Sequence, residues 1–166
     1  MMRAVAGPGA RMGTLLAAIE QQQQKSCDSD VGGCNRLYGV THVLEAAPQV
    51  FTLQLAWESQ QEAGADVAAT LAAVDEVVDL AALYQGLPPG AHRYRLRSMV
   101  AYYGAHYQAF VRVGEEGGGG GPAAHARSSW VLFDDAHVAA VGPWPDLLRR
   151  CEAGRIQPSV LFYLQV

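Results

Sequence analysis

The feature that most constrains the fold is the period-two alternation that fills the last third of the chain. Tyr94, Leu96, Val100 and Tyr102 alternate over residues 93–103, and Tyr107, Ala109, Val111 and Val113 over 106–113. The pattern resumes at 129–133 and 137–141 and closes with Val160, Phe162, Leu164 and Val166. Successive strand side chains point to opposite faces, so such runs require a sheet with at least one face buried. One helix interrupts them. Pro143 or Pro145 opens it and Gly154 ends it, because proline suits a first helical turn and glycine a helix end. Trp144, Leu147, Leu148 and Cys151 then share one apolar face.

The first half is more mixed. Met12, Leu15, Leu16 and Ile19 recur at helical spacing, so residues 11–24 read as an amphipathic helix running out into Gln21–Gln24. A polar loop over 26–36 contains Cys27, Gly32, Gly33 and Cys34. Residues 37–45 are β-rich, and after Pro48 a clearer strand places Phe51, Leu53, Leu55 and Trp57 on one face. Residues 58–65 are a polar loop, after which Asp66 is expected to cap a short helix burying Val67, Leu71 and Val74. Residues 76–85 fit strand and helix equally, and Leu87–Gly90 reads as a turn. Antiparallel strands with a few helices on one side make an α+β class. Residues 1–10 read as a disordered start, 11–166 as one unit, and 114–128, with five consecutive glycines, as a low-complexity loop.

Composition narrows the function classes. A chain of 166 residues, half of them apolar, can bury one real core. Its net charge of −4 argues against a nucleic-acid partner. Arg93, Arg95 and Arg97 alternate along one strand and read as a solvated strand face. Asp66, Asp75, Glu76 and Asp79 interrupt the longest apolar stretch, so no membrane span is expected. Three cysteines, an odd and sparse set, make a disulfide framework improbable and point to cytosol or nucleus.

Two segments carry candidate chemistry: Tyr103-Gly104-Ala105-His106-Tyr107 and Trp130-Val131-Leu132-Phe133-Asp134-Asp135. If their strands pair across the glycine-rich segment with residue 120 as midpoint, His106 faces Asp134 at the open end of a hairpin. A histidine held by a carboxylate has a fixed tautomer and raised basicity, as a general base for a thiol or hydroxyl needs. The bland alternative is a packed histidine at a strand end and an Asp pair that starts a turn.

The run Tyr94 to Phe110, with Gly104 and His106-Tyr107, resembles the histidine box of the ubiquitin-specific proteases. Trp130, Phe133, Asp134 and Asp135 resemble its continuation, Leu161-Phe162-Tyr163 the closing strand, and Ala47 through Trp57 the strand before the histidine half. The resemblance spans roughly residues 12–166. It is strongest to a divergent branch of plant ubiquitin hydrolase-related proteins and animal members often labelled inactive. It implies a partial papain-like cysteine peptidase fold, this chain forming the C-terminal half: most of the palm sheet and part of the fingers. It implies hydrolysis of the isopeptide bond after the C-terminal glycine of ubiquitin, with ubiquitin or ubiquitinated proteins as partners. His106 would be the general base, Asp134 its orienting partner, and Asp135 a supporting residue. Two departures are visible: Ala105 stands where the family usually has glycine, and the loop just upstream is short.

The family's nucleophile box, an Asn and a Cys before an apolar helix, has no counterpart in this sequence. Cys27 and Cys34 lie in a Gly/Asp loop, and Cys151 falls on an apolar helix face, where thiols are inert. This chain alone is therefore expected to be inactive, and a non-catalytic ubiquitin-binding or scaffold protein is the rival reading. A third reading, an incomplete gene product, implies an uncovered apolar sheet face and poor stability. No cofactor is required for the chemistry. The resemblance also implies a structural zinc in the fingers, of which Cys27 and Cys34 would be one half; two unpaired surface cysteines are the alternative.

Overall fold

The computed structural model describes residues 9–88, 92–114 and 129–166. Residues 1–8 and most of the glycine-rich segment fall outside the described residues. Helix α1 spans Met12–Gln21. Strands β1 (Gln24–Ser26) and β2 (Leu37–Gly39) pair with each other as a separate two-stranded sheet. Then follow β3 (Val50–Gln54), α2 (Gly64–Ala73), β4 (Val77–Asp79), β5 (Arg93–Tyr103) and β6 (His106–Val113). The chain closes with β7 (Ser129–Asp134), β8 (His137–Gly142), α3 (Trp144–Gly154) and β9 (Gln157–Gln165).

The main sheet has seven strands in the order β3-β9-β5-β6-β7-β8, with β4 also on β5. Every named pairing is antiparallel, so the architecture is α+β. Helices α2 and α3 pack on each other and against β7, β8 and β9. The core between helices and sheet holds Val67, Leu71, Leu147 and Cys151 from the helices and Leu96, Phe110, Trp130 and Tyr163 from the strands, all essentially buried. Burying a large apolar side chain stabilises by about 1.5–3 kcal/mol.

Several expectations shift in detail. In β5 the alternation changes phase midway: Tyr94 and Leu96 are buried, but so are Met99 and Ala101, not Val100 and Tyr102. The ladder to β9 passes from Leu96↔Tyr163 to Ser98↔Phe162, leaving Arg97 as an extra residue. Such a bulge swaps the faces beyond it. In β6 the apolar series Tyr107, Ala109, Val111, Val113 is the outward one, with Tyr107 and Val113 exposed. Gln108, Phe110 and Arg112 point inward. Arg112 is tolerated there because its guanidinium donates to Glu76 at 2.9 Å. The closing strand likewise buries Leu161 and Tyr163 and leaves Leu164 exposed.

Arg95 and Arg97 are half-buried rather than a solvated face, because β5 is an interior strand with neighbours on both sides. Asp66 is not the cap of α2: the helix starts at Gly64 after Ala63, and Asp66 lies in its first turn. There its negative charge still favours the helix N-terminus. Residues 76–85 resolve into β4 and a 3-10 turn at Leu80–Ala82. The first helix stops at Gln21, and Gln24 enters β1 instead. The helix opening at Pro143 and ending at Gly154 is as expected, with Arg155 closing it in the left-handed region at φ 51°. No helix among the described residues is long and apolar enough to cross a membrane.

Candidate functional site

Two tight turns lie side by side at one end of the sheet. Tyr103 pairs with His106, so β5 and β6 are joined by Gly104 and Ala105 alone. Both have positive φ, 55° and 70°, as a two-residue turn matched to strand twist requires. Asp134 pairs with His137, so β7 and β8 are joined by Asp135 and Ala136, with Asp135 at φ 50°. The first turn explains why a glycine suits position 105. An alanine there holds a left-handed conformation that costs an L-residue about 1–2 kcal/mol.

These turns bring the expected residues together. His106 Nε2 lies 2.6 Å from Asp134 Oδ1 and 3.9 Å from Asp135 Oδ2. His106 and Asp134 are about two-fifths exposed, whereas Asp135 is 85 % exposed. The contact is diagonal, not direct. Ala109 faces Phe133 and Phe110 faces Leu132, a register two residues from the one that would set His106 opposite Asp134. An even offset keeps both side chains on one face, and diagonal neighbours remain within reach. The carboxylate can hold the imidazole in one tautomer and one orientation, as a general base requires.

No thiol joins this group. Among the described residues, the histidine, cysteine and carboxylate side chains that cluster with His106 within 4.8 Å are Asp134 and Asp135. Cys151 is fully buried in the core on α3, and burial pushes its thiol up to about 12, partly offset by Arg150. Such a thiol is not a nucleophile at neutral pH.

Cys27 and Cys34 lie together at the tip of the β1–β2 hairpin. The Cys27 amide donates to Arg36 O at 2.9 Å, and the Cys34 amide points at Cys27 Sγ at 3.4 Å. Gly33 packs so closely that an added Cβ would meet Cys27 Sγ at 2.6 Å and Asp28 O at 2.3 Å. The tip therefore wraps the Cys27 sulfur. Two thiols are half of a tetrahedral zinc set, and among the described residues no third ligand joins them. The residues present do not complete a metal centre.

Two features of the site were not legible as functional. Gln108 shares the inward face with His106 and is 6 % exposed. Its only sequence signal is a polar residue inside an apolar strand. The segment Trp57–Gln60 is tied to the same end of the sheet. Trp57 Nε1 donates to Pro158 O at 2.6 Å, and Gln157 Nε2 to Ser59 O at 2.7 Å. Tyr102 Oη donates to Gln60 Oε1 at 3.3 Å. The tip of the short loop before β5, residues 89–91, lies outside the described residues.

A seven-stranded antiparallel palm with helices on one face defines a partial papain-like cysteine peptidase fold. The family model described as ubiquitin carboxyl-terminal hydrolase matches residues 15–163, and the chain belongs to that family. It is 30% identical over 141 residues to mouse ubiquitin carboxyl-terminal hydrolase 54, covering 84% of this chain and 8% of the relative. It is 29% identical over 161 residues to human ubiquitin carboxyl-terminal hydrolase 53, covering 90% of this chain and 13% of the relative. The chain thus spans about a tenth of the length of these curated relatives. The fold is similar to that of the Saccharomyces cerevisiae PAN2 pseudoubiquitin-hydrolase, with a TM-score of 0.51 and 12% identity. That match covers 96% of this chain and 48% of the other.

Proposed function

We propose that this chain supplies the base half of a thiol-dependent deubiquitinase site, acting on the isopeptide bond after the C-terminal glycine of ubiquitin. The observation that carries the reading is the 2.6 Å contact between His106 Nε2 and Asp134 Oδ1, in a chain of the ubiquitin hydrolase family. In this reading His106 takes the proton of a cysteine thiol supplied by a segment outside this sequence. The thiolate attacks the isopeptide carbonyl, and the imidazolium returns the proton to the leaving lysine amine. Asp134 holds the ring and stabilises its charge, with Asp135 in support. Cytosol or nucleus, where thiols stay reduced, suits this chemistry.

The chain alone lacks the nucleophile and is expected not to hydrolyse a fluorogenic ubiquitin substrate. Turnover by the purified chain, abolished by His106→Ala, would overturn that expectation. An upstream in-frame segment carrying a cysteine box, found by mapping the 5′ end of the transcript, would complete the site.

A second reading, ubiquitin binding without catalysis, is favoured by the state of the cysteines: one inert in the core, two in a separate hairpin. It is also favoured by exposed Tyr107, Phe133 and Val138 on the outward sheet face beside the dyad, since clustered exposed apolar groups mark contact surfaces. Chemical-shift titration with labelled ubiquitin tests it; unchanged spectra would remove it. Zinc in the fingers, with Cys27 and Cys34 as one of two pairs, belongs to the same proposal and requires two further ligands from outside this sequence.

A further inference from the structure

A glutamine is an expensive choice for the inward face of β6. Its neighbours on that face and strand are His106 and Phe110 and, across the ladder, Ala101; Phe110 and Ala101 are fully buried. Gln108 is 6 % exposed, and its Nε2 has no hydrogen-bond partner. A buried amide left unbonded loses its water contacts without return, and native proteins rarely leave one so without a reason. An aliphatic side chain of similar size would avoid that cost.

The register supplies the reason. The β6–β7 ladder ends at Ala109↔Phe133; continued by one step in the same register it would set Gln108 opposite Asp134, and directly opposed residues share a face with Cβ atoms about 4.5–5.5 Å apart. Asp134 uses one oxygen, Oδ1, to meet His106. Its carboxylate has no other partner among the described residues beyond that histidine. A buried donor without an acceptor thus faces a carboxylate with an oxygen to spare.

We propose that Gln108 is a positioning residue of the dyad, donating its side-chain amide to the second oxygen of Asp134. The inference rests on the reading of His106 and Asp134 as base and orienter. Two carboxylates compete for the imidazole, Asp134 at 2.6 Å and Asp135 at 3.9 Å. Tied at both oxygens, Asp134 cannot swing to solvent, and His106 keeps the partner that fixes its tautomer. Gln108 touches neither substrate nor nucleophile; it acts through Asp134.

The test uses NMR on the whole chain and needs no catalytic activity. The side-chain amide protons of Gln108 are followed together with the carboxylate-bonded imidazole N–H of His106. Asp134→Ala should abolish the bonded His106 N–H and shift the Gln108 amide, while the amide of Gln157, bonded to Ser59 O, stays in place. Gln108→Met should retain the His106 N–H but speed its exchange roughly tenfold, the equilibrium worth of about one hydrogen bond. If Asp134→Ala removes the His106 signal but leaves the Gln108 amide unmoved, the positioning role is wrong and the dyad stands. If the His106 signal survives Asp134→Ala, the dyad itself is wrong and the inference falls with it. Should Gln108→Met fail to fold, the response of the native Gln108 amide to Asp134→Ala decides the question.

Discussion

The dyad corner and the cysteine hairpin are both polar clusters at the tips of antiparallel strand pairs, yet they differ in what lies beneath them. The corner stands on a seven-stranded sheet whose inward face is filled by Leu96, Phe110, Trp130 and Tyr163. The hairpin strands β1 and β2 are exposed at every residue and pair only with each other. An isolated two-stranded hairpin is marginal in water. The corner can hold a 2.6 Å contact by its own packing, whereas the hairpin needs further ligands or a covering segment to become rigid. A site inherits its precision from the layer under it.

The largest effect that could break this contrast is core truncation. Trp130→Ala, at 1 % exposure, should cost about 3–5 kcal/mol in urea unfolding. Leu37→Ala in the hairpin, at 69 % exposure, should cost less than about 0.5 kcal/mol. Equal costs would mean that the hairpin shares the core.

Alkaline pH should sharpen the contrast next. Burial raises the Cys151 thiol from its ordinary 9.0 to about 12, so the neutral thiol stabilises the folded state fully below pH 9. Above that the unfolded thiol ionises first, and stability is lost as pH climbs from about 9 toward 12. One proton is worth about 1.4 kcal/mol per pH unit at most. The fall between pH 9 and pH 10 should therefore be shallower in Cys151→Ala by on the order of 1 kcal/mol. An unchanged slope would place Cys151 near solvent.

At the corner, Ala105→Gly should stabilise the chain by about 1 kcal/mol, because Ala105 sits at φ 70°. Thermal unfolding checks it, and a loss of stability would mean that the turn is relaxed in solution. In the hairpin, the purified chain should not retain stoichiometric zinc through gel filtration. Retained zinc that disappears in Cys34→Ser would show that the two thiols find other ligands within this chain.

Much of this was legible before the fold was known. The strand at Val50–Gln54, the α3 helix with its Pro143 start, and the antiparallel α+β class follow from local patterns, because apolar spacing and proline act within a few residues. The His106 and Asp134 pairing was legible because both lie at strand ends flanking one segment. The two-residue error in register did not matter, since parity alone decides the face.

What sequence could determine was therefore the class of fold, the family and the residues that meet. Tertiary structure alone decided which face of each strand is inside. The bulge at Arg97 reverses β5, and only pairing with β9 reveals it. In β6 both alternating sets could be read as core-facing, and only the register with β5 chose Gln108, Phe110 and Arg112. Burial is a property of neighbours distant in the chain, and a strand with apolar residues on both faces cannot announce which one its partners will cover.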